Sequence, residues 1–233
     1  MKNLITFLFV AGSLLALPSV YCAGNMPPVQ AKFQSVSMND YLLKMGKKLD
    51  CFFTIERDDR GPHRLTNFRK LSLLSTAHIN DNQQITSVEG LTIKLKKIFP
   101  KAEFSTSKHA GDNALVLHIT DASLMESQNY VLNQKLSIKY SGSLKDLSDA
   151  IGLKLQNRIG SPQTFTLQEL ARGDSDSTTK ITVQCENKTI RDTLTDAVPK
   201  SQDNRILWDA EAVTHDRGEV VEVKYFRPIV RHS

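Results

Sequence analysis

Lys180-Ile-Thr-Val-Gln-Cys-Glu-Asn-Lys-Thr-Ile-Arg-Asp-Thr-Leu194 decides how this chain is read. Its first six residues alternate polar and apolar, which is the period of a strand with one buried face. Asn187 and Lys188 interrupt the alternation. Thr189 then reads as a helix N-cap with Asp192 three places on, and Leu194 falls on the expected buried face of the helix. The same order occurs earlier. Lys135-Leu-Ser-Ile-Lys-Tyr140 alternates, Ser143 is a cap with Asp146 three places on, and Ser148-Asp-Ala-Ile151 matches Thr195-Asp-Ala-Val198. We read 135–151 and 180–198 as an internal repeat of a strand followed by a capped helix. Val36, Ser37, Asp40, Leu42 and Leu43 follow the order more loosely.

Working outward, Lys32–Val36 alternates like a strand. Met38, Tyr41, Leu42, Met45 and Leu49 then make the apolar face of a helix capped by Ser37. Cys51–Glu56 reads as the next strand, and Asp58–Phe68 as a charged loop punctuated by Gly61-Pro62. Leu71–Thr76 is expected to be a strand. Thr86 and Glu89 form a capping-box match before Val88, Leu91, Leu95, Ile98 and Phe99, and Pro100 ends that helix. Glu103–Ser107 and Ala114–Ile119 read as a hairpin around residues 109–113, with His109 and His118 exposed across it. Beyond the repeat, Arg205–Val213 and Glu219–Phe226 read as paired strands about Asp216-Arg-Gly218, with Trp208 in a core. The expected class is α+β: two small modules of β-α-β-β type, with capped amphipathic helices packed on small mixed or antiparallel sheets. They span 31–122 and 135–228, with a connector at 123–134 and a tail at 229–233.

The N-terminus carries an address. Lys2 precedes an almost unbroken apolar run, Leu4–Leu17, which Pro18 ends. The run is shorter than the ~20 residues of a membrane-spanning helix and has the layout of a secretory signal peptide over 1–24, followed by a linker at 25–30. Lipidation at Cys22 is an alternative, against which bulky Tyr21 stands. The 233-residue chain has 30 basic and 25 acidic residues. Loss of the leader removes only Lys2 among the charges, and it leaves Cys51 and Cys185. In an oxidising compartment these two could pair as a disulfide; the other reading is two separately buried thiols.

The run Lys180–Leu194 resembles the short N-terminal domain of secretins and TonB-dependent receptors, in which a strand is coupled to a capped amphipathic helix ahead of a further strand pair. Lys135–Ile151 and Phe33–Leu49 resemble it more weakly. A secretin or receptor continues into a pore-forming or barrel region, whereas this chain ends at Ser233. The resemblance therefore implies a stand-alone exported relative acting as a docking module, with protein–protein contact and no chemistry.

No nucleophile elbow, phosphate loop or His-Glu-x-x-His motif is present, and no cofactor or metal is expected. The basic residues gather in two segments, 57–70 and 94–101. Arg57, Arg60, Arg64, Lys94, Lys96 and Lys97 are the candidate contacts to an anionic envelope polymer or membrane surface. Aromatics do not interleave with them, which argues against nucleic acid. The leading expectation is a non-enzymatic docking or adaptor protein of the bacterial cell envelope with a protein partner. The alternatives are a binder of an anionic polymer or membrane surface, and a hydrolase of unrecognised type.

Overall fold

Alternation along β1 (Cys51–Asp59) sorts the apolar side chains into two cores. Cys51, Phe53 and Ile55 join Met38, Tyr41, Leu42 and Met45 of α1 (Met38–Leu49) and Leu91 and Leu95 of α2 (Val88–Ile98). Phe52 faces the opposite way, into a cluster that includes Leu144, Leu147, Ile190, Leu194 and Trp208. The sheet containing β1 is thus a middle layer with a core on each side. The computed structural model describes residues 37–60, 79, 84–156, 164–170, 180–200, 204–215 and 218–226. They all fall in one compact unit, 34–233. The leader, the strands expected at Lys32–Val36 and Leu71–Thr76, and Arg64 lie outside the described residues.

The remaining elements are β2 (Ala102–Lys108), β3 (Leu115–Asp121), the short α3 (Ala122–Glu126), a 3-10 turn (Val131–Asn133), β4 (Lys135–Ser143), α4 (Leu144–Gln156), β5 (Thr164–Leu170), β6 (Lys180–Thr189), α5 (Ile190–Ala197), β7 (Ile206–His215) and β8 (Gly218–Phe226). Helices and strands mix as expected for an α+β protein. Six strands form one sheet in the order β2-β3-β1-β7-β8-β5, and β4 and β6 form a separate antiparallel ribbon. The 2–3 and 7–8 pairs are antiparallel hairpins, while β1 runs parallel to both β3 and β7.

The pairing of β1 with β7 joins residues from either side of the expected boundary at 123–134. That stretch holds α3 and the 3-10 turn, and Leu124, Tyr130, Val131 and Leu132 sink into the same core as Leu194 and Trp208. Apolar content at 123–134, hidden among polar neighbours, makes it a packed crossing rather than a spacer. The repeated strands β4 and β6 pair with each other about a register shift between Leu136 and Ile138. β5 was not expected from the sequence; it pairs parallel to β8.

Three helix caps share one geometry. Ser37, Ser143 and Thr189 accept from the backbone N–H of Asp40, Asp146 and Asp192 at 3.2, 3.1 and 3.1 Å. Each hydroxyl donates in return to the same Asp side chain, at 2.6, 2.7 and 2.7 Å. A cap of this kind stabilises a helix by about 1 kcal/mol, and the carboxylate adds favourable interaction with the helix dipole. In α2 the cap is Ser87, which accepts from Gly90 N at 3.1 Å, one residue later than the expected Thr86. At the end of α1, Asp50 adopts a left-handed conformation at φ 48°, which turns the chain directly into β1. That tight junction brings Gly46 against the Arg205 side chain and the Cys51 carbonyl, where an added Cβ would lie 2.6 and 2.8 Å from them.

Candidate docking surface

The structure disperses the basic residues expected to bind an anionic polymer. Arg57 lies on β1 rather than in a loop, and its Nε and Nη2 donate to Asp209 at 3.2 and 2.8 Å, with Glu211 at 3.9 Å. Arg60 donates to Asp58 at 2.8 Å and to Glu219 at 3.1 Å. Lys94 stands over the Tyr41 ring at 4.9 Å, Lys96 pairs with Glu103 at 3.7 Å, and Lys97 is exposed. The extension of β1 to Asp59 sets Arg57 directly opposite Glu211 of β7. The sequence alone did not show that the carboxylates of a distant strand would meet these arginines.

A buried polar network joins the sheet to α5. Thr54 and Glu56 of β1 are register partners of His118 and Thr120 of β3, so all four share a face. The Glu56 carboxylate, 1% exposed, receives Arg191 through Nε and, at 2.9 Å, through Nη2. Arg191 Nη2 also donates to Asn133 at 2.8 Å, and the Thr120 hydroxyl donates to Glu56 at 3.3 Å. Burial opposes the charge on Arg191, but the hydrogen bonds and charge of Glu56 outweigh it and hold the guanidinium pKa above its ordinary value. Burial, and next the Glu56 charge, hold the Tyr130 phenol well above its usual range. The pair ties β1 to α5 across most of the chain length. Its sequence signal was slight: Glu56 continues the alternation of Phe52 and Thr54, and Arg191 is the second residue of its helix, where nothing local calls for a buried cation.

His118 lies on the same face of the sheet and makes a separate set of contacts. Its Nδ1 lies 2.7 Å from Thr54 Oγ1 and its Nε2 2.7 Å from Ser107 Oγ. A serine–histidine contact invites comparison with an acyl-transfer dyad, in which an anion stabilises the imidazolium. Here Nδ1 meets a hydroxyl. Burial, then the Arg191 cation, push the His118 pKa down to about 4, with Asp192 opposing weakly. The arrangement suits a neutral imidazole bridging β1, β2 and β3.

The hairpin histidines are therefore buried, contrary to expectation: His109 is 8% and His118 2% exposed. His109 Nδ1 instead accepts from Gly111 N at 3.2 Å within the turn. His118 pairs in register with Ser105, so the two histidines do not face each other. Cys51 and Cys185 are free and buried in opposite cores, which corrects the disulfide reading in favour of two separate thiols. Cys185 Sγ lies 3.4 Å from Thr193 Oγ1. Among the described residues no three His, Cys, Asp or Glu side chains gather as a metal site, and no helix is long and apolar enough to cross a membrane.

β2 is an outer strand of the six-stranded sheet, and it pairs with β3 without a register break. The bonds at its two ends fix which groups face outward. His109 N donates to Ala114 O at 2.9 Å, and Ala122 N donates to Lys101 O at 3.0 Å. In an antiparallel ladder, hydrogen-bonded positions alternate. The backbone groups of 103, 105 and 107 thus point to β3, and those of Phe104, Thr106 and Lys108 point away from it. The outward N–H of Ala102 is taken by Phe99 O at 3.0 Å. Ile79, described apart from its neighbours in the chain, also sits in a β-bridge and shares the core that Phe104 packs against. The strand carries no proline and no bulge, and of the devices that ordinarily protect an edge it has only its charges, Glu103 and Lys108, among the described residues. The sequence showed the hairpin, but that β2 would be outermost follows only from the pairing of β3 with β1. No family model, curated protein or solved structure matches the chain.

Proposed function

We propose that this chain is an exported docking protein of the bacterial cell envelope, which receives an extended strand from a protein partner along β2, the outer strand of the six-stranded sheet. The observation that carries the reading is the place of β2 at the end of the six-stranded sheet among the described residues, with Phe104, Thr106 and Lys108 turned away from β3. Main-chain bonds at such an edge supply affinity in strand addition. The secretory layout of residues 1–24 and the resemblance of the strand–capped helix units to docking domains supply the compartment and the class. The pairing of Arg57 and Arg60 with carboxylates of the same fold weighs against the anionic-polymer alternative.

Thr106→Pro tests the proposal. It removes an outward N–H and leaves the β3 ladder intact, because proline is tolerated on the open side of an edge strand. Tagged wild-type and Thr106→Pro proteins would be used as baits in envelope extract, with recovery read by mass spectrometry. A protein held stoichiometrically by the wild type and lost from the folded variant is the expected result. Identical recoveries from the two baits would sink the reading.

A further inference from the structure

We infer that the outer face of α1 and α2 is a second surface, which rests on an anionic phospholipid membrane and sets the exposed isoleucines of α2 into its headgroup layer. This contact is separate from the receipt of a strand at β2. α1 carries Lys44, Lys47 and Lys48 against Asp40 alone, and α2 carries Lys94, Lys96 and Lys97 against Glu89 alone. Both helices pack on the same core, so these six cations belong to one layer of the molecule. All but the half-buried Lys94 are exposed. α4 and α5, which pack on the opposite core, carry three cations against four carboxylates. The positive charge of these helices is thus confined to one side of the sheet, and there it is drawn together. Tyr41, Lys44 and Lys48 follow one another at spacings of three and four residues, which places them along one flank of α1. Lys94 of α2 stands over the Tyr41 ring at 4.9 Å, so that flank is the one beside α2. A cluster of about four to eight cations is the electrostatic signature of a contact with anionic lipid.

Ile93 separates this surface from an ordinary solvated charged face. It is 60% exposed and lies one turn before Lys96 and Lys97. Ile98, 37% exposed, ends the same helix four residues after Lys94. Complementarity to the helix dipole explains Lys47, Lys48, Lys96 and Lys97, which stand in the last turns. It does not explain a large apolar side chain held in water among them. A soluble anionic polymer would use the charges and leave Ile93 in water. A lipid surface uses both, because its phosphates accept the ammonium groups while the apolar side chain leaves water. The pairing of Lys96 with Glu103 at 3.7 Å does not cancel the patch, since both side chains are half-exposed and such pairs are weak. One or two apolar side chains on a basic patch give reversible attachment rather than permanent anchoring.

Co-sedimentation with vesicles tests the inference. At low ionic strength the protein recovered after export should bind vesicles of phosphatidylcholine with phosphatidylglycerol more tightly than vesicles of phosphatidylcholine alone, and the difference should shrink as salt rises. Lys48→Gln combined with Lys97→Gln should weaken binding about 25-fold, at roughly fivefold for each lysine. Ile93→Ser should weaken it about tenfold through lost apolar burial. Two controls on α4 match these changes in kind. Lys145→Gln combined with Lys154→Gln removes the same charge, and Leu153→Ser removes a leucine that is 64% exposed. Both should bind as the wild type does. Every substituted position is exposed, so circular dichroism spectra should not change. Any attachment through residues 1–24 is common to all the variants and cancels in the comparison. Equal binding to the two kinds of vesicle, or equal losses from the α4 and the α1–α2 variants, would overturn the inference. So would charge-dependent binding indifferent to Ile93→Ser, which would assign the face to a soluble anionic polymer. Should a variant fail to fold, a polarity-sensitive fluorophore on an introduced thiol decides, because Cys51 and Cys185 are buried. Its emission should shift to the blue on phosphatidylglycerol vesicles in Ile93→Cys and stay unchanged in Leu153→Cys; the same response in both would overturn the inference.

Discussion

Acidification should weaken this fold through His118, and the size of the effect follows from its surroundings. The ring is 2% exposed, and its pKa is lowered from 6.5 to about 4, first by burial and then by Arg191. The folded state thus binds the proton less readily than the unfolded chain. Stability from this group is fully present above the unfolded pKa and is lost as pH falls from about 6.5 to about 4. A shift of that size corresponds to roughly 3 kcal/mol, of which ~2 kcal/mol is gone by pH 4.5. A typical domain has only about 5–15 kcal/mol in hand, so the loss should show clearly in urea titrations at pH 7 and pH 4.5. Other groups also titrate in that window, including His109, whose pKa is likewise lowered by burial and Lys200. The informative quantity is therefore the difference between wild type and His118→Gln, whose pH dependence should be flatter by ~2 kcal/mol. The His118 ring resonances should stay in the neutral position down to about pH 5. Titration of that ring near 6.5, or equal pH slopes in the two proteins, would refute the reasoning.

The Glu56–Arg191 pair should show strong coupling in a double-mutant cycle. Arg191→Met and Glu56→Leu should each cost about 3–5 kcal/mol, because each strands a buried charge, while the double variant should recover much of the loss; additive urea midpoints would contradict this. Ellman's reagent should leave Cys51 and Cys185 unmodified until the protein unfolds, because both are buried and burial raises the Cys51 thiol to about 11. Rapid labelling of the native protein would count against that burial. Gly46→Ala should cost about 1–3 kcal/mol from overpacking against Arg205, whereas Gly152→Ala, with open space around it in α4, should stabilise by about 0.5–1 kcal/mol. Thermal melts of the two would separate them, and equal effects would undo the packing argument. Leu147→Asp and Leu194→Asp, both at fully buried positions of one shared core, should each abolish cooperative unfolding of the whole unit rather than of one half.

Local physics made much of this molecule legible in the sequence. The reciprocal Ser37–Asp40, Ser143–Asp146 and Thr189–Asp192 caps, the buried faces of α1 and α2, the 2–3 hairpin and the 7–8 hairpin all depend on residues close along the chain. Periodicity and cap chemistry act over a few residues, and they are the same in a fragment as in a fold. Long-range pairing is different in kind. Nothing within Cys51–Asp59 says that it will lie between β3 and β7, yet that choice fuses the two expected modules into one sheet and leaves β2 outermost. It also sets Arg57 against Asp209, which neutralises a cation expected to face a polymer, and brings Glu56 against Arg191. Which charges are neutralised, which histidines are buried and which strand stands at the end of the sheet order are properties of residues far apart in the chain. Their energies arise only when tertiary contact excludes water between them, so only the folded structure decides them.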